Sequence, residues 1–350
     1  MDLLSFDDAL KKSKHYKKRH LLLGNGFSIA CRQNIFRYDK LFEQADFTSL
    51  PQSIRKAFDR LGTTDFEYVI KSLRDSAKII PAYNNDPLMA KQMLDDAENI
   101  KELLVETIAK SHPERPTDIK EEEYIACQKF LSNFNYIYTF NYDLLLYWTI
   151  MHNSQGQKPS WEDGFSNSYS DILNQETSDY VVWESSNTHN NKNKIWFLHG
   201  ALHIFDSVTE IKKYTWNRTD RRLIEQIRDS LNNDLFPLFV AEGSSSEKLE
   251  KIRHSDYLNK AYRSFEALQK CLFIYGHSLA ENDEHYLQLI ERGKIEHIFV
   301  GLRGAINSEK NKHKVERTKL MSERRKEHSK NKKIPLKIDF VDMSTMKVWQ

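Results

Sequence analysis

Leu21-Leu22-Leu23-Gly24-Asn25-Gly26-Phe27-Ser28 is the stretch whose reading decides the fold. A short apolar run closed by a turn signal reads as a strand buried on both faces. Gly24-Asn25-Gly26 then makes a tight turn, and residues 27–33 open a helix. A strand, a glycine turn and a helix N-terminus together form an anion site, because backbone N–H groups and the helix dipole favour phosphate there. Gly24 and Gly26 allow close backbone approach to a pyrophosphate. Ile29 stands where the dinucleotide fingerprint has its third glycine. Asp46 has the spacing of the ribose-binding acid but falls in a helical stretch.

Working outward, the same pattern recurs three times. Tyr138-Thr139-Phe140-Asn141-Tyr142-Asp143 closes a second apolar run, Phe197-Leu198-His199-Gly200 a third, and Gly276-His277-Ser278-Leu279 a fourth. In a parallel sheet such strand ends share one edge, and ligands bind along that edge. Asn141 suits a ribose hydroxyl or a water; as the plainer alternative, Asn141 and Asp143 both suit a helix N-cap. His199 suits a general base, since imidazole titrates near neutrality. His199 and His203 form H-x3-H, but Gly200 in strand-like context argues against a helical zinc pair. Ser278 suits a ribose or phosphate oxygen, and Asp283 follows close behind. Glu242-Gly243 is a weaker echo, with Lys248 as a pairing partner.

Between the first two of these strands, residues 38–131 read as helical throughout. Phe66, Val69, Ile70 and Leu73 recur at helical spacing, and Pro81, Pro113 and Pro116 punctuate the stretch. That is too long for one crossover helix. The expected architecture is α/β, a Rossmann-like doubly wound parallel sheet formed by residues 17–37 and 132–350, with 38–131 as an inserted helical subdomain. Residues 153–193 read as a long polar loop carrying Trp161-Glu162-Asp163-Gly164-Phe165.

The bulk properties agree with a globular protein. The chain has 350 residues, 39% hydrophobic, with a net charge of +2. No apolar run approaches the ~20 residues of a membrane span, and the N-terminus lacks a secretory pattern. Cys31, Cys127 and Cys271 are odd in number and widely spaced, which argues against a disulfide framework and a four-cysteine zinc site. A cytoplasmic setting is expected. Residues 310–333 carry eleven Lys/Arg against three Glu. A basic helix of this kind contacts nucleic acid or is simply solvated; the lack of interleaved aromatics favours the second. P-loop and nucleophile-elbow motifs are absent.

Taken in order, Gly24-Asn25-Gly26-Phe27-Ser28, Thr139-Phe140-Asn141-Tyr142-Asp143, His199-Gly200 and Gly276-His277-Ser278 resemble the sirtuin-like superfamily. There the corresponding segments are a G-A-G-x-S turn, a T-Q-N-x-D strand end, a catalytic H-G and a later G-T-S. The details resemble a bacterial sirtuin-like family without an established function. The four-cysteine ribbon of sirtuin deacylases has no counterpart here, and Asn25 replaces an alanine. Relatives lacking the ribbon are similar to NAD-consuming effectors of bacterial antiviral defence.

The resemblance implies an NAD glycohydrolase that needs no metal. It places Gly24–Ser28 on the pyrophosphate, Asn141 on the ribose and attacking water, and His199 as base. It adds Asp143 and Gly276-His277-Ser278 to the cofactor site, with Ser278 and Asp283 on the adenosine side. The partners it implies are NAD and either a second copy of the chain or a defence-system protein. Two alternatives stay open: an NAD or ADP-ribose sensor without turnover, and a nucleic-acid module using residues 310–333.

Overall fold

The structure is a computed structural model and describes residues 3–83, 87–152, 161–166, 180–183, 193–207, 210–215, 222–233, 235–240, 244–327 and 334–350. The apolar run Arg19–Leu23 forms β1, with Leu21, Leu22 and Leu23 fully buried. It pairs in parallel with β2 (Tyr136–Thr139) on one side and β10 (Gln269–Tyr275) on the other. Beyond β2 lie β6 (Asn193–Phe197) and the short edge strand β3 (Trp161–Glu162); beyond β10 lie β11 (Lys294–Leu302) and β12 (Lys337–Asp342). Every pairing in this seven-stranded sheet is parallel.

With the edge strand β3 set aside, the order is that of a Rossmann fold: the first three strands run outward from β1 in one direction and the last three in the other. The strand order therefore reverses between β1 and β10. Side chains alternate between two helical layers. Phe273 packs against Phe6 and Phe134 on one face. Tyr138 meets Phe265 of the helix Asp256–Glu266 on the other. The doubly wound α/β reading is correct.

Residues 38–131 contribute the helices Tyr38–Gln44, Gln52–Leu61, Phe66–Ile79, Pro87–Ser111 and Glu121–Leu131. The first four form a bundle around Phe42, Phe58 and Phe66. The last behaves differently. Phe130 stacks against Phe6 and Tyr275, so Glu121–Leu131 is the crossover helix that covers the sheet before β2. The insertion proper ends before that helix.

A second, antiparallel sheet was not expected. It runs β4 (Phe165–Ser166), β5 (Tyr180–Trp183), β8 (Ile211–Tyr214), β7 (Gly200–Asp206), β9 (Pro237–Phe239). In the sequence, 203–205 and 211–216 read as a hairpin and 238–240 as a short strand, and these fall on β7, β8 and β9. The loop expected over 153–193 falls mostly outside the described residues, as does Glu242-Gly243. Among the described residues no helix is long and apolar enough to cross a membrane.

At the switch point two backbones touch. The Gly26 N–H donates to the Gly276 carbonyl at 2.9 Å, and a Cβ on Gly26 would stand 2.5 Å from the Gly276 Cα. Backbone cannot yield as a flexible side chain does. Gly26→Ala is expected to cost at least about 3 kcal/mol, read as a lowered denaturation midpoint in urea with an unchanged slope.

Candidate active site

The four strand ends converge on one cavity of about 400 Å³, a volume in the range usual for small-molecule sites, roughly 300–1,000 Å³. Gly24, Asn25 and Gly26 reach it from β1; Asn141, Tyr142 and Asp143 from β2; His199 from β6; and Gly276, His277, Ser278 and Asp283 from β10. The helical insertion roofs it with Leu41, Asp65, Glu67, Leu104 and Ile108.

The glycine turn does not act as expected. Gly24 N–H donates to the Tyr275 carbonyl, Gly26 N–H to Gly276, and Phe27 N–H to Gly24, each at 2.9 Å. These donors are spent inside the protein, so they form no open phosphate cradle. The Asn25 amide is likewise engaged, donating to the Phe36 carbonyl at 2.9 Å. Phe27 is fully buried against the Trp349 ring, and its carbonyl accepts from the Trp349 indole at 3.0 Å. Phe27 and Ser28 thus support the wall rather than line it. Ser28 is fully buried because it links two site residues.

That linkage fixes Asn141. Ser28 Oγ donates to the Asp143 carboxylate and therefore accepts from Asn141 Nδ2, at 2.7 Å. The other Asp143 oxygen accepts from Leu145 N–H at 2.9 Å, at the start of the helix Leu145–Met151. Asp143 thus serves the helix, while the Asn141 amide is held in one orientation. Asn141 Oδ1 is buried and has no hydrogen-bond partner among the described residues. Burial raises the Asp143 carboxyl to about 6, against the lowering effect of Ser28 and the backbone donors.

His199 sits where the chain leaves the parallel sheet for the antiparallel one. The turn works because Gly200 has φ +84° and a Cβ there would fall 1.8 Å from the Leu238 carbonyl oxygen. The His199 ring lies against Phe140 and is only 2% exposed. Its Nε2 also lacks a hydrogen-bond partner among the described residues and stands 3.7 Å from Asp283 Oδ1. Burial pushes the imidazole well below its usual range, opposed by the Asp283 charge.

Asp283 is the hub of a buried network. Its Oδ2 meets His277 Nε2 at 3.0 Å, and Leu279 N–H donates to His277 Nδ1 at 3.0 Å, which places the proton of His277 on Nε2. Lys248, 1% exposed, lies 3.6 Å from Asp283 Oδ1 and 3.2 Å from Glu67 Oε2. Burial alone would raise the Asp283 carboxyl, but Lys248 and the His277 hydrogen bond hold it well below the carboxylate range. Asp283 therefore belongs beside His199, not on a separate adenosine side. Ser278 is exposed at the rim.

Sequence reasoning missed Glu67, Lys248 as a partner of Asp283, and His285. Glu67 comes from a helix far away in the chain, and no local spacing marks it. Asp46 accepts from Thr48 in an exposed turn, away from any ribose site. His203 stacks on Tyr147, apart from His199. The three cysteines are buried and free.

A second cleft, of about 800 Å³, backs onto the first. It shares Gly26, Ile29 and Gly276 with the cavity and is lined by Arg303, Lys310, Lys314 and Lys347. Two arginines of the basic helix Glu309–Glu327 are structural, while Lys312, Lys319 and Lys326 are exposed. Arg325 is fully buried and donates to the Glu291 and Ile295 carbonyls at 2.5 and 2.7 Å, while Arg317 pairs with Glu284.

The family model described as a domain of unknown function (DUF4917) matches residues 21–349. The chain belongs to that family. The DUF4917 match takes in every strand of the parallel sheet except the first two residues of β1, and all the cavity residues. No curated protein matches the chain.

Two expectations test the DUF4917 site. Lys248→Met leaves Glu67 and Asp283 buried without their ammonium and is expected to destabilise the protein by about 3–5 kcal/mol. Adding Glu67→Gln recovers part of that loss, read as a non-zero coupling energy in a double-mutant cycle. The Asp143 carboxyl binds its proton more tightly folded than unfolded. Its contribution is therefore full below the ordinary aspartate value of 3.8 and falls as pH rises to about 6, a loss of up to ~3 kcal/mol. Asp143→Asn should flatten the pH dependence of Tm across that window.

Proposed function

We propose that the cavity binds NAD and hydrolyses its nicotinamide–ribose bond, in keeping with the resemblance to the sirtuin-like superfamily. The observation that carries this reading is the pair Asn141 Oδ1 and His199 Nε2. Both are buried, both lack a hydrogen-bond partner among the described residues, and both residues line the same cavity. Unsatisfied buried polar atoms are costly, so they mark a place where a ligand supplies the missing hydrogen bonds.

Charge supports the choice of ligand. The described residues lining the cavity include the carboxyl groups of Asp65, Glu67, Asp143 and Asp283 and no Lys or Arg, and Lys248 behind Glu67 and Asp283 offsets only part of that charge. That surface suits a cationic pyridinium ring and a hydroxylated sugar, and it disfavours phosphate. The adjoining cleft with Arg303, Lys310 and Lys314 suits phosphate. NAD has a cationic end and an anionic middle, and the two spaces adjoin across Gly26 and Gly276.

In this reaction water attacks the ribose carbon as the carbon–nitrogen bond breaks, and the bonding electrons neutralise the departing ring. The transition state resembles that of glycoside cleavage. Asn141 Oδ1 orients the water or a ribose hydroxyl. Neutral His199 takes the proton, and Asp283 at 3.7 Å stabilises the imidazolium that forms. The roof from the insertion limits access of other water. As in the defence effectors it resembles, such an activity consumes a cofactor the host needs and would be held in check by a trigger.

Purified protein incubated with NAD is expected to yield nicotinamide and ADP-ribose, separated by chromatography. His199→Ala and Asn141→Ala are each expected to lower the rate by ~10²–10⁴-fold. Undiminished cleavage by either variant would remove the mechanism. Intact NAD recovered with the folded wild type, alongside a ligand-induced rise in Tm, would replace it with the sensor reading.

A further inference from the structure

We propose that His199, Asp283 and His285 form a binding site for a divalent first-row transition-metal ion, and that the ion silences turnover by occupying His199 Nε2. The binding site stands on geometry alone; the silencing rests on the reaction proposed above.

The ligand atoms of the three residues lie within 4.8 Å of one another, and all three residues are buried. Among the described residues His199 Nε2 and His285 Nε2 have no hydrogen-bond partner, and Asp283 Oδ1 has only the Lys248 ammonium, at 3.6 Å. Two unpartnered imidazole nitrogens beside a buried carboxylate oxygen are unusual where most buried polar groups are paired. Bonds of about 2.0–2.2 Å need donors roughly 3–3.5 Å apart, so small side-chain rotations of about 1 Å close the shell. Two imidazoles and a carboxylate form a donor set suited to zinc and its neighbours.

What distinguishes this cluster is how the other atoms of the ligands are held. His285 Nδ1 lies 3.0 Å from Ser245 Oγ, and the His285 backbone N–H donates to the same oxygen at 2.7 Å. A hydroxyl oxygen can accept from both, and in that arrangement the ring proton is on Nδ1 and the Nε2 lone pair is open to an ion. His277 Nε2–H holds Asp283 Oδ2, and Leu279 N–H fixes the His277 tautomer, so Oδ1 is left for the ion. Metal ligands are ordinarily oriented in this way by a surrounding shell. The ion reaches the site from the cavity, where His199 and Asp283 are exposed to its interior, and water from the cavity completes its coordination.

Lys248 opposes an ion by its charge, at 3.6 Å from Asp283 Oδ1. It keeps Glu67 as a partner at 3.2 Å when Oδ1 turns to the metal. Two carboxylates then face one ammonium, a net charge of −1 that partly offsets the charge of a divalent ion.

The test is titration of the chelator-treated full-length protein with Zn²⁺ by calorimetry, and with Co²⁺ by visible absorption. One ion per chain is expected. Affinity should fall at least tenfold in folded His285→Gln, and ~10–100-fold in Ser245→Ala, a change that leaves all three ligands in place. No binding, or binding unchanged in His285→Gln, overturns the site. Zn²⁺ at the concentration that saturates wild type is expected to stop NAD cleavage. Cleavage that continues at saturation overturns the silencing while the binding result stands. Absence of cleavage in metal-free protein counts against the NAD reaction and leaves the titration decisive for the ion.

Discussion

The contact between Gly26 and Gly276 is the constraint on which the rest of the molecule depends. In a doubly wound sheet the crevice opens where strand order reverses, here between β1 and β10. The loops leaving those strands must part enough to admit a ligand yet stay joined enough to be rigid. The chain meets both demands by letting two backbones meet with no side chain between them, tied by Gly26 N–H to Gly276 O. One side of this seam is the acidic cavity, and the other is the basic cleft. A side chain at the seam would push the two halves of the sheet edge apart and disturb both spaces.

The second tie is electrostatic and runs across the roof. Glu67 belongs to the inserted helices, Lys248 to the helix Ser245–His254, and Asp283 to the loop after β10. One buried ammonium thereby joins the insertion to the loop that carries His277 and faces His199. Such a triad contributes little net stability once desolvation is included. It does impose geometry, because any displacement of the roof leaves a buried charge unpaired. The insertion is therefore part of the site, although it lies between β1 and β2 in the chain.

Much of this was legible in the sequence, and the parts that were not share a physical reason. Strands of the parallel sheet are buried on both faces, so their apolar runs stand out locally, as at Leu21–Leu23 and Ile137–Tyr138. Strand ends are also local, which is why Asn141, His199 and His277 could be named before any fold was known. Glycines are more ambiguous. Their presence shows that backbone comes close to something, and Gly24 and Gly26 were read as facing phosphate when they face another loop. Glu67 and His285 depend on long-range packing, to which periodicity is blind. The antiparallel sheet includes a strand of only two residues, β4, too brief for alternation to register. In the basic helix, composition indicated a charged surface, whereas Arg325 satisfies backbone carbonyls beneath it.

The separation of charge across the glycine seam bears on which ligands the fold can accept. A nucleotide carrying only phosphate charge would gain from the basic cleft but would have to place an uncharged or negative end among four carboxyl groups. A simple organic cation would fill the cavity and leave the cleft unused. A molecule with a positive ring some distance from its phosphates uses both, and loses the first attraction once the ring departs as a neutral product. In the reaction proposed above, the wall would therefore hold the neutral leaving group less tightly than the substrate ring, and the same carboxyl groups that attract the reactant would favour release of the product. Lys248, shared by Glu67 and Asp283, moderates that attraction.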